Sequence, residues 1–139
     1  MTLSETITTD EHYRTIKPGS VHDGEPIPVS STHPTITLVT DDGTPVAILS
    51  GHLVLHGVLQ VSAIISENIR KYPIAFMRKL RAIIAYYFTH YPLRRMQMSV
   101  RSDRKDLYKW ASALGFKCEG IMRKYGPNGL DYLLFARTE

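Results

Sequence analysis

The sequence predicts a mixed α/β (α+β) fold, in which helices pack on a sheet that contains one parallel strand pair. Two β-branched, apolar runs, TITLVT and TPVAILSGHLVLHG, are separated by DDG, a strong hairpin signal. The strand-like run VLQVSAIIS leads through the basic loop ENIRKYP into the long helical segment IAFMRKLRAIIAYYFTH. The element order is hairpin, strand, helix, strand, helix, hairpin, so the long helix bridges the parallel pair.

Length and composition indicate one domain that folds without a disulfide. The 139 residues include a single cysteine, Cys118, and no metal-ligand spacing. No apolar run approaches the ~20 residues that span a bilayer, and the N-terminus lacks the pattern of a signal peptide. We therefore expect a cytoplasmic protein without a membrane partner.

Charge is distributed unevenly along the chain. Residues 1–69 hold 2 Lys and Arg against 8 Asp and Glu (net −6), whereas residues 70–139 hold 15 against 5 (net +10). A basic half suits an anionic partner, such as a phosphorylated cofactor or nucleic acid, or serves as a solvated surface. The basic residues form no contiguous motif of a nucleic-acid reader, so we expect no specific nucleic-acid binding.

Residues 1–34 are predicted to form a poorly determined N-terminal segment, and residues 35–139 the main domain. The segment contains little predicted core. EHYRTIKPG is its one candidate strand, and SVHDGEPIPVSSTHP is rich in Pro, Ser and Gly, as loops are. The domain begins with the hairpin, which turns at Asp41–Gly43. Gly51 and Gly57 interrupt its second run. The sequence therefore predicts a bulge, a bend or a second turn at HGV in this region.

The remaining elements are two helices, a strand between them and a final hairpin. Pro73 suits the first turn of the long helix, where a missing N–H is harmless, and Tyr91-Pro92 ends it. LRRMQMSV alternates as a strand does, RSDRKDLYKWASALG is a shorter helix that Gly115 ends, and two strands flank GPNG. The apolar face of the long helix is predicted from a spacing of three and four residues: Met77, Leu80, Ile84, Tyr87 or Phe88, and Tyr91.

Two motifs resemble the GCN5-related N-acetyltransferase (GNAT) superfamily, over about residues 35–139. The loop RKYPIA, Arg70–Ala75, resembles the acyl-CoA diphosphate motif of that family, Q/R-x-x-G-x-G/A. The run ALGFKCEGIMRKY, followed by DYLLFA, is similar to its C-terminal pattern of LGF, two residues, EG, a basic residue and an aspartate before the last strand. The small, degenerate form also resembles phage-encoded GNAT-like proteins, which implies a virion as a second location.

The resemblance implies an acetyl-CoA site between the strands VSAIIS and RMQMSV. The pantetheine arm would pair like an extra strand with the backbone of Ile64 and Ile65. An amine would attack the thioester directly, with a general base to accept its proton and a general acid to protonate the thiolate. The residues implied to hold the diphosphate are Arg70, Lys71, Tyr72, Ile74, Ala75 and Arg78.

Three features depart from the family pattern. Pro73 replaces its central glycine, which removes one N–H donor and leaves the basic side chains to hold the phosphates. Ala111 occupies the position of the general-acid tyrosine, and Tyr108, one helical turn earlier, is either a substitute or a structural tyrosine. The strand and two helices that the family has before its first hairpin correspond to the short segment 1–34, so the fold is expected to be truncated there.

Glu67, at the end of the strand VLQVSAIIS, is the candidate general base by analogy, with His52 and His56 as rivals. Histidine has a suitable intrinsic pKa, and residues four apart share one face of a strand. The alternative for each is a strand residue without a catalytic role, and no third ligand completes a metal site. We expect Cys118 to be an ordinary packed side chain rather than a nucleophile.

Two functions follow from these motifs. The first is an acetyl-CoA-dependent N-acetyltransferase, or a remnant of one, whose partners are acyl-CoA and an amine acceptor. The second is a catalytically inactive GNAT-fold protein, such as a phage virion or accessory protein, with a protein partner or a second copy of itself. N-acetyltransferase activity is usual in the GNAT superfamily, which favours the first function. The three departures from the family pattern favour the second.

Overall fold

The computed structural model describes residues 3–9, 11–12 and 35–139. Among them, seven strands form one sheet in the order β1-β2-β3-β4-β5-β7-β6, with two α-helices. The elements are β1 (Ser4–Ile7), β2 (Ile36–Val39), β3 (Pro45–Leu55), β4 (Val58–Ile65), a 3-10 helix (Glu67–Lys71), α1 (Pro73–His90), β5 (Arg95–Arg101), α2 (Lys105–Ala113), β6 (Lys117–Met122) and β7 (Tyr132–Thr138).

The predicted mixed fold is confirmed. Strands β4 and β5 are parallel, whereas β1–β2, β2–β3, β5–β7 and β6–β7 are antiparallel. The described chain divides into two compact units, one within residues 1–52 and 61–82 and the other of residues 53–60 and 83–139. The proposed boundary between residues 1–34 and 35–139 stays a prediction.

In the first unit, the β2–β3 hairpin turns where the sequence predicts. Thr40 donates its N–H to the carbonyl of Thr44 at 2.9 Å, and Gly43 donates to the carbonyl of Thr40 at 3.0 Å. Strand β3 continues through Gly51 as far as Leu55, so the chain makes no turn at that residue. The buried core around this hairpin includes Leu38, Val46, Ile48, Ile69 and Phe76.

Strand β1 was not predicted. It pairs with β2, from Ser4 opposite Val39 to Ile7 opposite Ile36. Glu5 and Lys79 form an ion pair at 3.2 Å, and Leu3 is buried, so this part of the N-terminal segment does contribute core. The predicted strand EHYRTIKPG lies outside the described residues from position 13 onward.

Helix α1 begins at Pro73, as predicted, because the first helical position needs no N–H. The predicted apolar face is confirmed in most of its members, since Ile84 is buried and Met77, Leu80, Tyr87 and Phe88 are half-buried. Tyr91 lies beyond the helix end and is exposed, and the helix has one further buried residue, Phe76, which is 0% exposed. Phe76 was missed because a single aromatic residue in the first turn adds little to a periodic pattern. The described residues contain no helix long and apolar enough to cross a membrane.

In the second unit, His56 and Gly57 form the turn between β3 and β4. The predicted second turn at HGV is therefore confirmed. Gly57 has φ +78°, and its carbonyl accepts the N–H groups of Arg94 (2.9 Å) and Arg95 (3.2 Å). A Cβ here would lie 2.5 Å from Arg94 Nη1 and 3.3 Å from the Pro92 carbonyl, so only glycine fits without displacement.

The rest of the second unit is built on the β5–β7–β6 ladders. Strands β5 and β7 pair over seven residues each, from Arg95 opposite Thr138 to Arg101 opposite Tyr132. Helix α2 ends before Gly115, which has φ +91° as the predicted stop. The buried side chains of this unit include Leu59, Met96, Phe116 and Phe135.

Candidate functional site

The loop after β4 is anchored at its first residue. Ser66 donates its N–H to the carbonyl of Val46 at 2.9 Å, and its hydroxyl accepts the N–H of Asn68 at 3.2 Å. The carbonyl of Ser66 accepts the N–H of Ile69 at 3.0 Å, and the Ile69 side chain is fully buried. The 3-10 helix therefore starts from a capped, packed position, which holds the residues that follow in place.

The start of α1 leaves backbone donors available. Tyr72 donates its N–H to Ile69 and accepts the N–H of Phe76 through its carbonyl, and Pro73 has no N–H. Within the described residues, the N–H groups of Ile74 and Ala75 have no acceptor, as expected for a first helical turn. The Ile74 side chain is 72% exposed, so solvent reaches this end of the helix, which carries a partial positive charge.

The three predicted cations of the loop have different surroundings. Arg70 Nε donates to Glu67 Oε2 at 2.9 Å, and both side chains are about half exposed. Lys71 and Arg78 are exposed and form no ion pair with the described residues. Two exposed cationic side chains and two backbone N–H donors thus lie within residues 71–78, and a phosphate group can bind to such a set.

A cleft of about 190 Å³ adjoins this loop within the first unit. Its residues are Thr40, Asp42, Thr44, Val46, Asn68, Lys71 and Tyr72. Asp42 accepts hydrogen bonds from the Thr40 hydroxyl and from the N–H of Thr44, and these bonds lower its pKa to about 2. Asp42 is therefore a carboxylate at neutral pH, opposite in charge to the ammonium of Lys71 that shares the cleft.

The side chains of Ile64 and Ile65 are buried, so these two residues offer a ligand only their backbone groups. Glu67 lies in the 3-10 helix directly after β4, and its carboxylate is paired with Arg70. The predicted binding residues from Arg70 to Arg78, the two isoleucines and Glu67 all belong to the first unit. Their roles stay predictions.

Tyr108 belongs to the second unit and is engaged in the fold. Its hydroxyl donates to the carbonyl of Ser102, and its ring lies 5.9 Å from that of Phe135. Burial raises the pKa of the phenol, and the charges of Asp103 and Cys118 raise it further. The hydroxyl proton of Tyr108 is already donated to the Ser102 carbonyl, and the raised pKa holds it on the phenol. This arrangement favours a structural role for Tyr108 over that of a general acid.

Two expectations about other candidate residues are wrong. His52 lies in β3, but His56 is an exposed residue of the β3–β4 turn, so the two do not share a strand. Cys118 is exposed on β6 rather than packed, with its Sγ 3.8 Å from the carbonyl of Gly120. Among the described residues, no group of three or more His, Cys, Asp and Glu side chains is placed to hold a metal.

The C-terminal motif closes the β6–β7 connection. Asp131 accepts the N–H of Lys124 at 2.9 Å and the guanidinium of Arg123 at 3.1 Å, and these bonds lower the pKa of Asp131. Lys124 has φ +53°, a conformation that this bond helps to hold. The aspartate and the basic residue of the motif are therefore structural in this chain.

One polar cluster was missed by the sequence reasoning. Arg95, Gln97 and Glu119 are joined by side-chain hydrogen bonds, and Gln97 is bonded to Gln60. The alternation of polar residues in β5, RMQMSVR, signals a polar face, but the partners on β4 and β6 follow only from strand register.

Searches with the sequence find no matching protein-family model and no matching curated protein. Solved structures do match over nearly the whole chain. A chimera of the spermidine N-acetyltransferase SpeG from Vibrio cholerae and hSSAT aligns with a TM-score of 0.77 at 11% identity, over 99% of this chain and 96% of that one. The chain has the GNAT fold.

Two further GNAT-fold structures agree. A GCN5-related N-acetyltransferase from Kribbella flavida aligns with a TM-score of 0.72 at 16% identity, over 99% of this chain and 98% of that one. The ribosomal-protein-S18-alanine N-acetyltransferase from Escherichia coli aligns with a TM-score of 0.74 at 13% identity, over 98% of this chain and 93% of that one. At these identities the likeness establishes the GNAT fold and leaves the substrate to be argued from residues.

Proposed function

We propose that this protein binds acyl-CoA at the β4–α1 loop and transfers the acyl group to an amine. The observation that carries the proposal is the exposed start of α1, where the N–H groups of Ile74 and Ala75 lack acceptors. Lys71 and Arg78 flank these donors as exposed cations. A diphosphate is the ligand chemistry that uses backbone donors and two lysine- or arginine-type charges together.

The acyl arm would follow β4. Ile64 and Ile65 have buried side chains, so an extended arm containing amides would hydrogen-bond to their backbone groups in the manner of a β-strand. The pantetheine of any acyl-CoA contains two such amides, and acetyl-CoA is the proposed donor because the structural neighbours are acetyltransferases.

In the reaction, the amine nitrogen attacks the thioester carbonyl carbon, and the C–S bond then breaks. Glu67 is the proposed acceptor of the amine proton. Tyr108 is bonded to the Ser102 carbonyl, so water protonates the departing thiolate, whose ordinary pKa is near that of cysteine, about 8.5.

A second candidate is a GNAT-fold protein that binds CoA or a protein partner without turnover, including a phage accessory or virion protein. Two contacts favour it. The Glu67 carboxylate is paired with Arg70, and the Tyr108 hydroxyl is committed to a backbone carbonyl. Both candidate proton-transfer groups are therefore occupied by interactions within the fold.

Binding is tested by calorimetric titration with acetyl-CoA and CoA. The variant Lys71→Ala/Arg78→Ala should weaken both ligands at least ~10-fold, because two charge-assisted bonds to phosphate are removed. The matched control is Lys105→Ala/Lys109→Ala, which removes two exposed cations from α2 and should leave the affinity unchanged. Equal loss in both variants would mean general charge attraction rather than a diphosphate site.

Turnover separates the two candidates. Free CoA thiol is measured after addition of acetyl-CoA and a panel of amines, including polyamines, amino acids and peptide N-termini. Amine-dependent thiol release that falls at least ~100-fold in Glu67→Gln supports the acyltransferase with this base. Binding of acetyl-CoA without release for any amine supports the inactive candidate.

A further inference from the structure

The cleft beside the β2–β3 turn is formed entirely by residues of the first unit. The turn contributes Thr40, Asp42 and Thr44, and the loop after β4 contributes Asn68, Lys71 and Tyr72. The volume of the cleft is about 190 Å³. Sites for drug-sized molecules measure ~300–1,000 Å³, so this cleft suits a ligand with few non-hydrogen atoms.

The turn side of the cleft presents a fixed carboxylate. Asp42 Oδ1 accepts the Thr40 hydroxyl and, at 3.1 Å, the N–H of Thr44, and these bonds lower the pKa of Asp42 to about 2. The side chain is therefore charged at neutral pH and held to the backbone of its own turn. Both bonds are made to Oδ1, and a carboxylate has about four acceptor positions, so Oδ2 can accept from a ligand.

The loop side of the cleft presents donors. Lys71 ends the 3-10 helix, whose backbone is fixed by the buried Ile69 and by the bond from the Tyr72 N–H to the Ile69 carbonyl. Lys71 shares the cleft with Asp42, yet the two form no ion pair, and Lys71 has none with any other residue that the structure describes. The side-chain amide of Asn68 likewise has no hydrogen bond within the described part of the chain.

We propose that the cleft binds a free α-amino acid, whose ammonium group donates to Asp42 while its carboxylate accepts from Lys71 and Asn68. The opposite charges of the cleft select this kind of ligand. An anion such as phosphate is repelled by Asp42, and a simple cation is repelled by Lys71. A small zwitterion pairs with both charges, and the half-buried Tyr72 is left to contact its side chain.

The amino acid is held as a ligand and not as an acyl acceptor, because an ammonium group paired with Asp42 has no lone pair with which to attack a thioester. This site goes beyond the proposed function but shares one residue with it. Lys71 is also a proposed phosphate ligand, so on the proposed function the two ligands compete for its charge. Each should then weaken the other by the same factor.

The test is a nuclear magnetic resonance titration of the isotope-labelled protein with L-valine, without CoA. The amide signals of Asp42, Thr44, Asn68 and Tyr72 should shift together and saturate with a dissociation constant of ~1 mM or lower. L-Valine methyl ester lacks the carboxylate and N-acetyl-L-valine lacks the ammonium group. Each should bind at least ~10-fold more weakly, because one charge-assisted bond is lost.

Two variants with matched controls locate the site. Asp42→Asn and Lys71→Ala should each weaken L-valine at least ~10-fold. Asp41→Asn removes the same charge from the neighbouring turn residue, and Arg78→Ala removes an exposed cation of α1. Neither of these residues lines the cleft, so both controls should bind as the wild type does. Circular dichroism checks that every variant is folded under the conditions of the titration.

Three results would overturn the inference. They are unchanged signals at tens of millimolar L-valine, equal affinities for L-valine and its methyl ester, and equal losses in Asp42→Asn and Asp41→Asn. Binding of L-valine by a protein that does not bind acetyl-CoA would instead refute the proposed function and support this site. An acetyl-CoA affinity that saturating L-valine leaves unchanged would overturn the competition for Lys71.

Discussion

Replacing Gly57 with alanine tests how the β3–β4 turn holds the start of β4. Gly57 has φ +78°, and an added Cβ would lie 2.5 Å from Arg94 Nη1. The left-handed conformation costs alanine about 1–2 kcal/mol. The Arg94 guanidinium must also leave the carbonyl of His56, to which it donates, at about 0.5–1.5 kcal/mol. We therefore expect Gly57→Ala to lower the free energy of unfolding by roughly 2–3 kcal/mol.

The assay is urea and thermal unfolding followed by circular dichroism. At about 2–4 °C per kcal/mol for a chain of this size, Tm should fall by roughly 4–12 °C. The control is Gly129→Ala, which has φ +74° but no atom within 4 Å of the added Cβ, so it carries the conformational cost alone, about 1–2 kcal/mol. Equal losses in the two variants would refute the close approach of Arg94 to the turn.

Three further predictions concern the loop and the two units. Asp42→Asn should destabilise the protein at pH 6, and most of that effect should be gone near pH 2. The folded-state pKa of about 2 lies below the ordinary value of 3.8, so the contribution is complete above pH 3.8 and is lost as the pH falls through 2, which unfolding measured at both pH values checks. Tyr108→Phe should lower the free energy of unfolding by about 1 kcal/mol, because the hydrogen bond to the Ser102 carbonyl is lost, and should leave kcat unchanged. A large fall in kcat would instead indicate that Tyr108 is the general acid. Pro73→Gly restores an N–H at the start of α1 and should tighten acetyl-CoA binding up to ~10-fold by calorimetry, whereas weaker binding would show that proline preorganises the loop.

Elements with strong local signals were predictable from the sequence. The DDG turn, the proline that starts α1 and the glycine that ends α2 each fix the backbone through neighbouring residues, so their positions are confirmed. The predicted loop from Arg70 to Ala75 follows β4, as its motif predicts, but it is helical: Arg70 and Lys71 end the 3-10 helix, and Pro73 to Ala75 form the first turn of α1. These features depend on the covalent and steric properties of a few adjacent residues.

Features set by strand register were not predictable. Strand β1 is four residues long and gains its stability from pairing with β2, about 30 positions away. The hydrogen bond from Gln97 to Gln60 joins residues 37 positions apart, and it exists because β4 and β5 meet in one particular register. Each depends on tertiary contacts that a single sequence does not encode locally.

The proposed function requires acyl-CoA to bind along β4 and at the start of α1. Nuclear magnetic resonance titration of the isotope-labelled protein with acetyl-CoA tests it most directly. If acyl-CoA binds there, the amide signals of Ile64, Ile65, Ile74 and Ala75 will shift together and saturate with one dissociation constant. Signals of these four residues that stay fixed at millimolar acetyl-CoA, or shifts confined to the basic surface of α2, would contradict it.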